Sequence, residues 1–227
     1  MPYLREGPER ARRPWHLRTF ALSFLLLLGG CSRVYYAGLE KMGIPKRDLL
    51  ESRVENAQEA QRKVKEQFGS ALDRFRATVS VQGGELGERY DVLRGELERC
   101  DDRAAQLAQR IDAVEDVAEA LFDEWQAELD QYERQDLRAA SARRLEQTRR
   151  RYRPMIAAMR RAHQRVKPVL GAMRDIVLAL KHQLNAKALG QLDREVAGVE
   201  REVNALLAEM NRSIAQASHF LSGLDEP

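Results

Sequence analysis

The sequence predicts an all-α protein, an elongated antiparallel bundle of three or four long helices that pack like a coiled coil. Apolar side chains recur at spacings of three and four residues through most of the chain after residue 45, which is the periodicity of one face of an α-helix. No alternation of apolar and polar residues is long enough to predict a β-strand. A composition of 32% charged and 44% hydrophobic residues with only 14 glycines is also typical of packed helices.

The first 30 residues have the pattern of a secretory signal peptide. Five arginines precede an uncharged apolar run at residues 20–28, which is too short to span a bilayer because a spanning helix needs about 20 apolar residues. The run leads into LGGC at residues 28–31, which resembles the lipobox of bacterial lipoproteins. We therefore expect cleavage before Cys31, acylation of the Cys31 thiol, and a lipidated tether over residues 31–45.

The expected lipid anchor predicts a location. Acyl chains on a mature lipoprotein give lasting attachment, because each buried methylene contributes about 0.8 kcal/mol. Ser32 after the acylated cysteine, instead of Asp, resembles lipoproteins that are exported to the outer membrane. Arg12-Arg13 resembles a twin-arginine signal only weakly, so we expect the general secretory route. The sequence therefore predicts a protein of the inner leaflet of the outer membrane that faces the periplasm.

The charge balance argues against a polybasic nucleic-acid binder. The chain has 38 basic and 35 acidic residues, and subtraction of the five arginines and two acids of residues 1–30 leaves 33 of each. A neutral mature chain has no net attraction for nucleic acid. We expect no nucleic acid, no cofactor and no small-molecule substrate. The expected partners are membrane lipid, through acylated Cys31, and an envelope protein or a second copy of the chain.

The apolar stripes and the residues that break them predict four helices in one domain. They cover about residues 46–78, 85–132, 137–184 and 187–222, with a tail at residues 223–227. Gly83 and Gly84 predict the first turn, because glycine disfavours a helix by about 1 kcal/mol and permits positive φ. The fourth stripe has nearly heptad spacing, with Glu and Arg between its apolar positions.

The connection between the second and third helices has two interpretations. Residues 133–140 contain neither glycine nor proline, so local chemistry also permits one continuous helix of roughly 100 residues. Because segments 85–132 and 137–184 are equally long, an antiparallel hairpin that buries both stripes is favoured. Pro154 and Pro168 each remove a backbone donor and should kink or restart the third helix.

One acidic cluster could carry chemistry. Glu124 and Glu128 lie one helical turn apart beside Trp125, and paired carboxylates can do acid–base work when one of them is desolvated. The simpler interpretation makes Trp125 a core residue and lets the acids face solvent or nearby arginines. We favour the simpler interpretation and keep all three residues as candidate partner contacts.

Two further groups of polar residues have both a structural and a functional interpretation. Lys181, His182 and Asn185 lie near a predicted helix end, where capping explains Asn185 and a recognition spot is the alternative. A basic run could meet anionic headgroups or glycan phosphates, or it could pair with acids on a neighbouring helix. The run consists of Arg143, Arg144, Arg149, Arg150, Arg151, Arg160 and Arg161.

Motifs of familiar catalytic and metal sites do not occur in the sequence. No glycine-rich loop precedes a Lys-Ser or Lys-Thr pair, the four histidines lack the spacing of zinc or di-iron sites, and Gly-x-Ser-x-Gly is absent. With Cys31 acylated, Cys100 is the only remaining thiol, so no intramolecular disulfide can form. A shielded, inert Cys100 is favoured over an intermolecular bridge.

Several motifs of the mature chain resemble an uncharacterised family of Gram-negative envelope lipoproteins, a domain of unknown function. The resemblance covers nearly all of residues 31–227 and implies a helical, coiled-coil-like fold and an envelope location. It assigns no activity, because none is established for the family. It is carried by Tyr35-Tyr36, Lys46-Arg47-Asp48, Gly83-Gly84-x-Leu86, RIDAVEDVA at residues 110–118, LFDEW at 121–125 and LKHQLNA at 180–186.

The function expected from these observations is that of a lipid-anchored periplasmic scaffold or partner-binding protein without catalysis. The main rival is an enzyme that acts on an envelope polymer through Glu124 and Glu128. A DNA-repair-ATPase-like coiled-coil protein or a cytoplasmic nucleic-acid factor is less favoured, because the chain has a secretion signal and no nucleotide loop.

Overall fold

The computed structural model describes residues 45–80, 86–182 and 186–224, without the side chains of residues 79–80, 86, 182 and 186–193. Within these ranges the chain forms α-helices and one short 3-10 turn with no strand, which confirms the all-α prediction. The helices are α1 (Lys46–Ser80), α2 (Leu86–Glu128), α3 (Gln135–Gln164), α4 (Val166–His182) and α5 (Ala186–Ser222). The predicted signal peptide, Cys31 with its tether, the turn at residues 83–84 and Asn185 lie outside the described residues.

The helices make four antiparallel arms, because α3 and α4 follow one another in the same arm. Helix α1 packs against α2 and α5, and the α3–α4 arm packs against the same two helices from the other side. Cross-arm contacts give the direction of the chains: Gln61 near the middle of α1 meets Ser213 of α5, and Lys46 at its start meets Glu124 near the end of α2. The architecture is an up-down-up-down bundle.

The predicted apolar stripes form the core of this bundle. In α1 all stripe positions from Leu50 to Phe75 are buried, including Gln61. In α2 the stripe is buried from Leu107 to Ala118, Leu121 is half-buried, and Phe122 and the 3-10 residue Leu129 are buried beyond it. The largest fully buried side chains come from all arms and include Phe68, Phe75, Leu107, Ile111, Met155, Met159, Met173, Ile176, Leu206 and Phe220.

The third predicted helix, residues 137–184, is two helices in the structure. The break lies at Arg165, three residues before Pro168. Proline has no backbone N–H, and its ring crowds the carbonyl four residues earlier, which here belongs to Gln164. Pro168 therefore ends α3 and occupies the first turn of α4, where its missing donor is tolerated. Pro154, by contrast, lies inside an unbroken α3.

The chain reverses between α2 and α3, slightly earlier than residues 133–140. Helix α2 ends at Glu128, the 3-10 turn covers Leu129–Gln131, and Tyr132 has the extended angles φ −75° and ψ 120°. Tyr132, the last residue of the predicted second helix, lies beyond the end of α2 and is 39% exposed. The continuous helix of residues 85–184 is therefore not formed.

Candidate functional site

One end of the bundle brings together residues from all four arms. Arg47 lies in the first turn of α1, and Trp125 lies in the last turn of α2. Arg144 belongs to the third turn of α3, and Gly223 directly follows α5. Antiparallel packing places these positions at the same level, although they are widely separated in sequence.

Trp125 is half-buried at this end, so its assignment to the closed core is wrong in part. Its indole N–H donates a hydrogen bond to Oγ of Ser141 on α3 at 2.8 Å, which fixes the orientation of the ring. Trp125 lies level with the first residues of α1, since its neighbour Glu124 contacts Lys46. The ring is partly exposed and borders a pocket.

This pocket, which we call the Trp125 pocket, has a volume of about 100 Å³. Among the described residues, its lining combines apolar side chains with three guanidinium groups and contains no carboxylate. The apolar residues are Leu121, Trp125 and Leu224, and the polar residues are Arg47, Arg144, Gln147, Thr148 and Arg151, beside Gly223. The described lining is therefore cationic.

Arg151 is held in place by the glycine that follows α5. Its Nη1 donates a hydrogen bond to the carbonyl oxygen of Gly223 at 2.6 Å. A Cβ atom at residue 223 would overlap the same nitrogen, so a larger residue would displace the flexible end of the Arg151 side chain. The amide of Leu224 donates to the carbonyl of Leu221 at 2.9 Å and continues the turn. Gly223, the predicted start of the tail, therefore positions a pocket arginine.

Arg47 and Arg144 are the cations that the pocket leaves available. Both side chains are exposed, and neither has an ion-pair partner in the part of the chain that the structure describes. A guanidinium group is always charged and presents a planar fork of donors that matches the oxygens of a carboxylate or a phosphate. The two side chains can therefore bind an anion that enters the pocket.

Glu124 and Glu128 do not form a shared acid–base site. Oε2 of Glu124 accepts a hydrogen bond from Nζ of Lys46 at 2.9 Å, and Lys46 is only 9% exposed. Glu128, one turn later, is exposed at the end of α2. Glu124 thus ties the start of α1 to α2, and its carboxylate is already compensated by a buried ammonium group.

The residues that line the Trp125 pocket supply binding groups but no nucleophile with a base. The only hydroxyl group among them is that of Thr148, which donates to the carbonyl oxygen of Arg144 at 3.0 Å. Among the described residues, no His, Cys, Asp or Glu lines the pocket. The groups that the lining offers are guanidinium donors next to an aromatic ring.

Comparison with known families assigns the chain to one of them. A family model described as a protein of unknown function, DUF2959, matches residues 35–224. The chain belongs to this family. The match confirms the predicted resemblance to a domain of unknown function. No curated protein matches the DUF2959 protein.

Most of the basic run of the DUF2959 protein is paired. Arg149 lies over the ring of Phe122 at 5.5 Å and donates to its carbonyl oxygen at 3.3 Å. Arg160 donates to Asp112 and Glu115 across the α2–α3 interface. The other pairs are Arg150 with Glu146 at 3.0 Å and Arg161 with Glu209 at 3.7 Å. Pairing with acids therefore explains Arg150, Arg160 and Arg161, whereas Arg149 packs on an aromatic ring.

The second predicted cluster of the DUF2959 protein gives no assembled site. Lys181 is exposed near the end of α4. The side chain of His182 and the whole of Asn185 lie outside the described residues. Sequence reasoning missed Arg47 and Gly223 as site residues. Nothing in the local pattern links positions 47, 144 and 223, and only the packing of the arms brings them together.

Other reactive groups of the DUF2959 protein are shielded or dispersed. In residues 45–80, 86–182 and 186–224 no three His, Cys, Asp or Glu side chains are grouped to hold a metal ion. Cys100 is fully buried, and burial raises the pKa of its thiol to about 12. The thiol is therefore neutral near pH 7. Of the described helices, none is long and apolar enough to cross a membrane.

Proposed function

We propose that the DUF2959 protein is a lipid-anchored helical scaffold of the bacterial cell envelope that faces the periplasm and binds a partner at the Trp125 pocket. Acylated Cys31 provides the anchor in this proposal, and the four-arm bundle provides a rigid body. The observation that carries partner binding is the pocket itself, where Arg47 and Arg144 line the same pocket as Trp125 and have no ion-pair partner among the described residues.

The position of the pocket in the chain supports a role close to the membrane. Lys46 is the fifteenth residue after Cys31, so even a fully extended tether reaches at most about 50 Å. Arg47 follows at once and lines the pocket. The same end of the bundle exposes Tyr132 and Leu137, at 39% and 44% of their surfaces, and these side chains suit contact with a partner or with lipid headgroups.

The enzyme alternative receives no support from the geometry of its two carboxylates. Glu124 has a structural partner in Lys46, whereas a catalytic acid needs a desolvated carboxyl group next to a substrate cleft. Replacement of both acids, Glu124→Gln with Glu128→Gln, separates the two functions. A scaffold should retain its partner at the Trp125 pocket, whereas hydrolysis of an envelope polymer would be abolished.

Metabolic labelling tests the anchor. Cells that express the wild-type chain are given a radiolabelled fatty acid, and their membranes are fractionated by density. We expect label on the wild type and on Cys100→Ala, and none on Cys31→Ala, which stays uncleaved. Cys100→Ala is the matched control because it removes the other thiol. An unlabelled wild type released into the periplasm would contradict the proposed anchor and location.

Crosslinking inside cells tests the pocket as the partner site. A photoreactive residue at Gln147, which lines the pocket, is compared with one at Asp175, an exposed position near the far end of the α3–α4 arm. A discrete adduct that forms from position 147, disappears with Arg144→Gln and is not formed from position 175 supports the proposal. Equal adducts from both positions would show that the pocket has no special role.

A further inference from the structure

We propose that the Trp125 pocket is a binding site for a phosphate ester, held by Arg47 and Arg144 with its organic part against Trp125. This inference depends on the proposed function only for where the ester comes from. The binding site itself is inferred from the charge, the size and the apolar residues of the pocket.

The arrangement of the cations favours phosphate over carboxylate. A single guanidinium fork satisfies a planar carboxylate, whereas a tetrahedral phosphate presents oxygens in several directions and carries up to two charges. Here the guanidinium groups come from different arms, Arg47 from α1 and Arg144 with Arg151 from α3. Arg151 is directed by Gly223 and adds positive charge even while it keeps that hydrogen bond.

The apolar residues of the pocket favour a phosphate ester over inorganic phosphate. Trp125 uses its N–H for Ser141, so it can offer a ligand only apolar contact. Leu121 and Leu224 add further apolar contacts in the same pocket as the arginines. A carbon chain attached to the phosphate can lie on this surface and exclude water from it.

The size of the pocket limits the organic part. Its volume of about 100 Å³ is smaller than the ~150 Å³ cavity that holds a benzene ring. The phosphate and the first few carbon atoms of its alcohol fit, whereas a nucleoside would extend into solvent without contacts. Glycerol phosphate, with three carbon atoms in its alcohol, is an ester of this kind. It occurs both as a lipid headgroup and as a soluble metabolite class, and these are the two sources that the test distinguishes.

Fluorescence gives a direct assay because Trp125 is the only tryptophan after Cys31; the other, Trp15, lies in the predicted signal peptide. The processed full chain is purified in a maltoside detergent, which contains no phosphate. It is titrated with glycerol 3-phosphate, with glycerol, and with sodium chloride at matched ionic strength. We expect a saturable change in Trp125 emission with glycerol 3-phosphate alone.

Two neighbouring arginines provide the variant and its control. Arg144→Gln should weaken binding roughly tenfold or more, because a charge-assisted hydrogen bond is lost. Arg143→Gln removes an equally exposed arginine that does not line the pocket, and it should bind like the wild type. Thermal melts of both variants confirm that they are folded. No saturable response, or equal weakening by both substitutions, would overturn the proposal.

Vesicles then identify the source of the ester. The full chain is reconstituted into phosphatidylglycerol vesicles and into vesicles of a galactolipid without phosphate. If the headgroup is the natural ligand, glycerol 3-phosphate binds more weakly in the first vesicles than in the second. Equal binding in both supports a soluble ester. If the chain binds glycerol 3-phosphate in detergent but is not acylated in cells, only the proposed anchor is refuted. If the chain is acylated but does not bind glycerol 3-phosphate, only this inference is refuted.

Discussion

Phe122 and Trp125 are both aromatic residues near the end of α2, yet their surroundings differ. Phe122 is 8% exposed and packs edge-to-face on Tyr152, with ring centroids 5.4 Å apart. Trp125 keeps one side open to the pocket and contacts α3 through its N–H group. One turn of helix thus separates a core aromatic residue from a binding-site aromatic residue.

Truncation of these two residues should therefore have unequal effects. Phe122→Ala removes a buried ring and should lower the free energy of unfolding by about 3–5 kcal/mol. Trp125→Ala removes a ring that is partly in water already and should cost only about 2 kcal/mol. Chemical denaturation followed by circular dichroism measures both. A larger loss for Trp125→Ala than for Phe122→Ala would show that the pocket is closed in solution.

At the level of helix packing, the interface between α1 and α5 contains a buried polar layer. Nε2 of Gln61 donates to Oγ of Ser213 at 2.7 Å, and both side chains are fully buried. Nε2 of Gln58 donates to Oγ of Ser218 at 2.7 Å, one turn away. Oε1 of Gln61 has no hydrogen-bond partner. The layer aligns α1 with α5 and carries an unsatisfied acceptor at its centre.

This layer should respond differently to single and double substitution. Ser213→Ala leaves the buried amide of Gln61 without a partner and should cost about 1–3 kcal/mol. Adding Gln61→Leu removes the amide as well, so the double variant should be at least as stable as the wild type. Urea unfolding of the three proteins tests this. A double variant that is less stable than Ser213→Ala would mean that the Gln61 amide makes a stabilising hydrogen bond to water.

The two prolines of the α3–α4 arm provide a test of where this arm is broken. Pro154 is inside α3, where proline is about 3 kcal/mol less favourable than alanine, and Pro154→Ala should stabilise the protein by a kcal/mol or more. Pro168 is in the first turn of α4, where its missing donor costs little, so Pro168→Ala should change stability by less than about 1 kcal/mol. Thermal unfolding of the pair measures the difference, and equal effects would contradict the break assigned to Pro168.

For the whole molecule, Cys100 reports on opening of the bundle. Its thiol is fully buried on α2, and burial raises its pKa from 9.0 to about 12. The unfolded chain ionises at the lower pKa, so the stability contribution is complete below about pH 9 and is lost as pH rises toward about 12. The free energy of unfolding should therefore fall more steeply above pH 9 in the wild type than in Cys100→Ala, and parallel curves would show that the thiol is accessible.

The extent to which the sequence predicts this molecule depends on how local each feature is. The stripe from Leu50 to Phe75 is a repeating pattern within one helix, so its burial could be predicted. The Trp125 pocket, by contrast, is lined by Arg47, Arg144 and Gly223, which come from three different arms. Such features require the packing of the arms, and no spacing within one segment contains them.

The even number of arms has a practical consequence for experiments in cells. In a bundle of four antiparallel arms, the last residues of the fourth arm lie beside the first residues of the first arm. Leu224 and Arg47 therefore line the same pocket. A fluorescent reporter fused after Pro227 would be joined only three residues beyond Leu224 and would compete for space with any ligand. A small tag inserted between Ser80 and Leu86, at the other end of the bundle, would leave the pocket open.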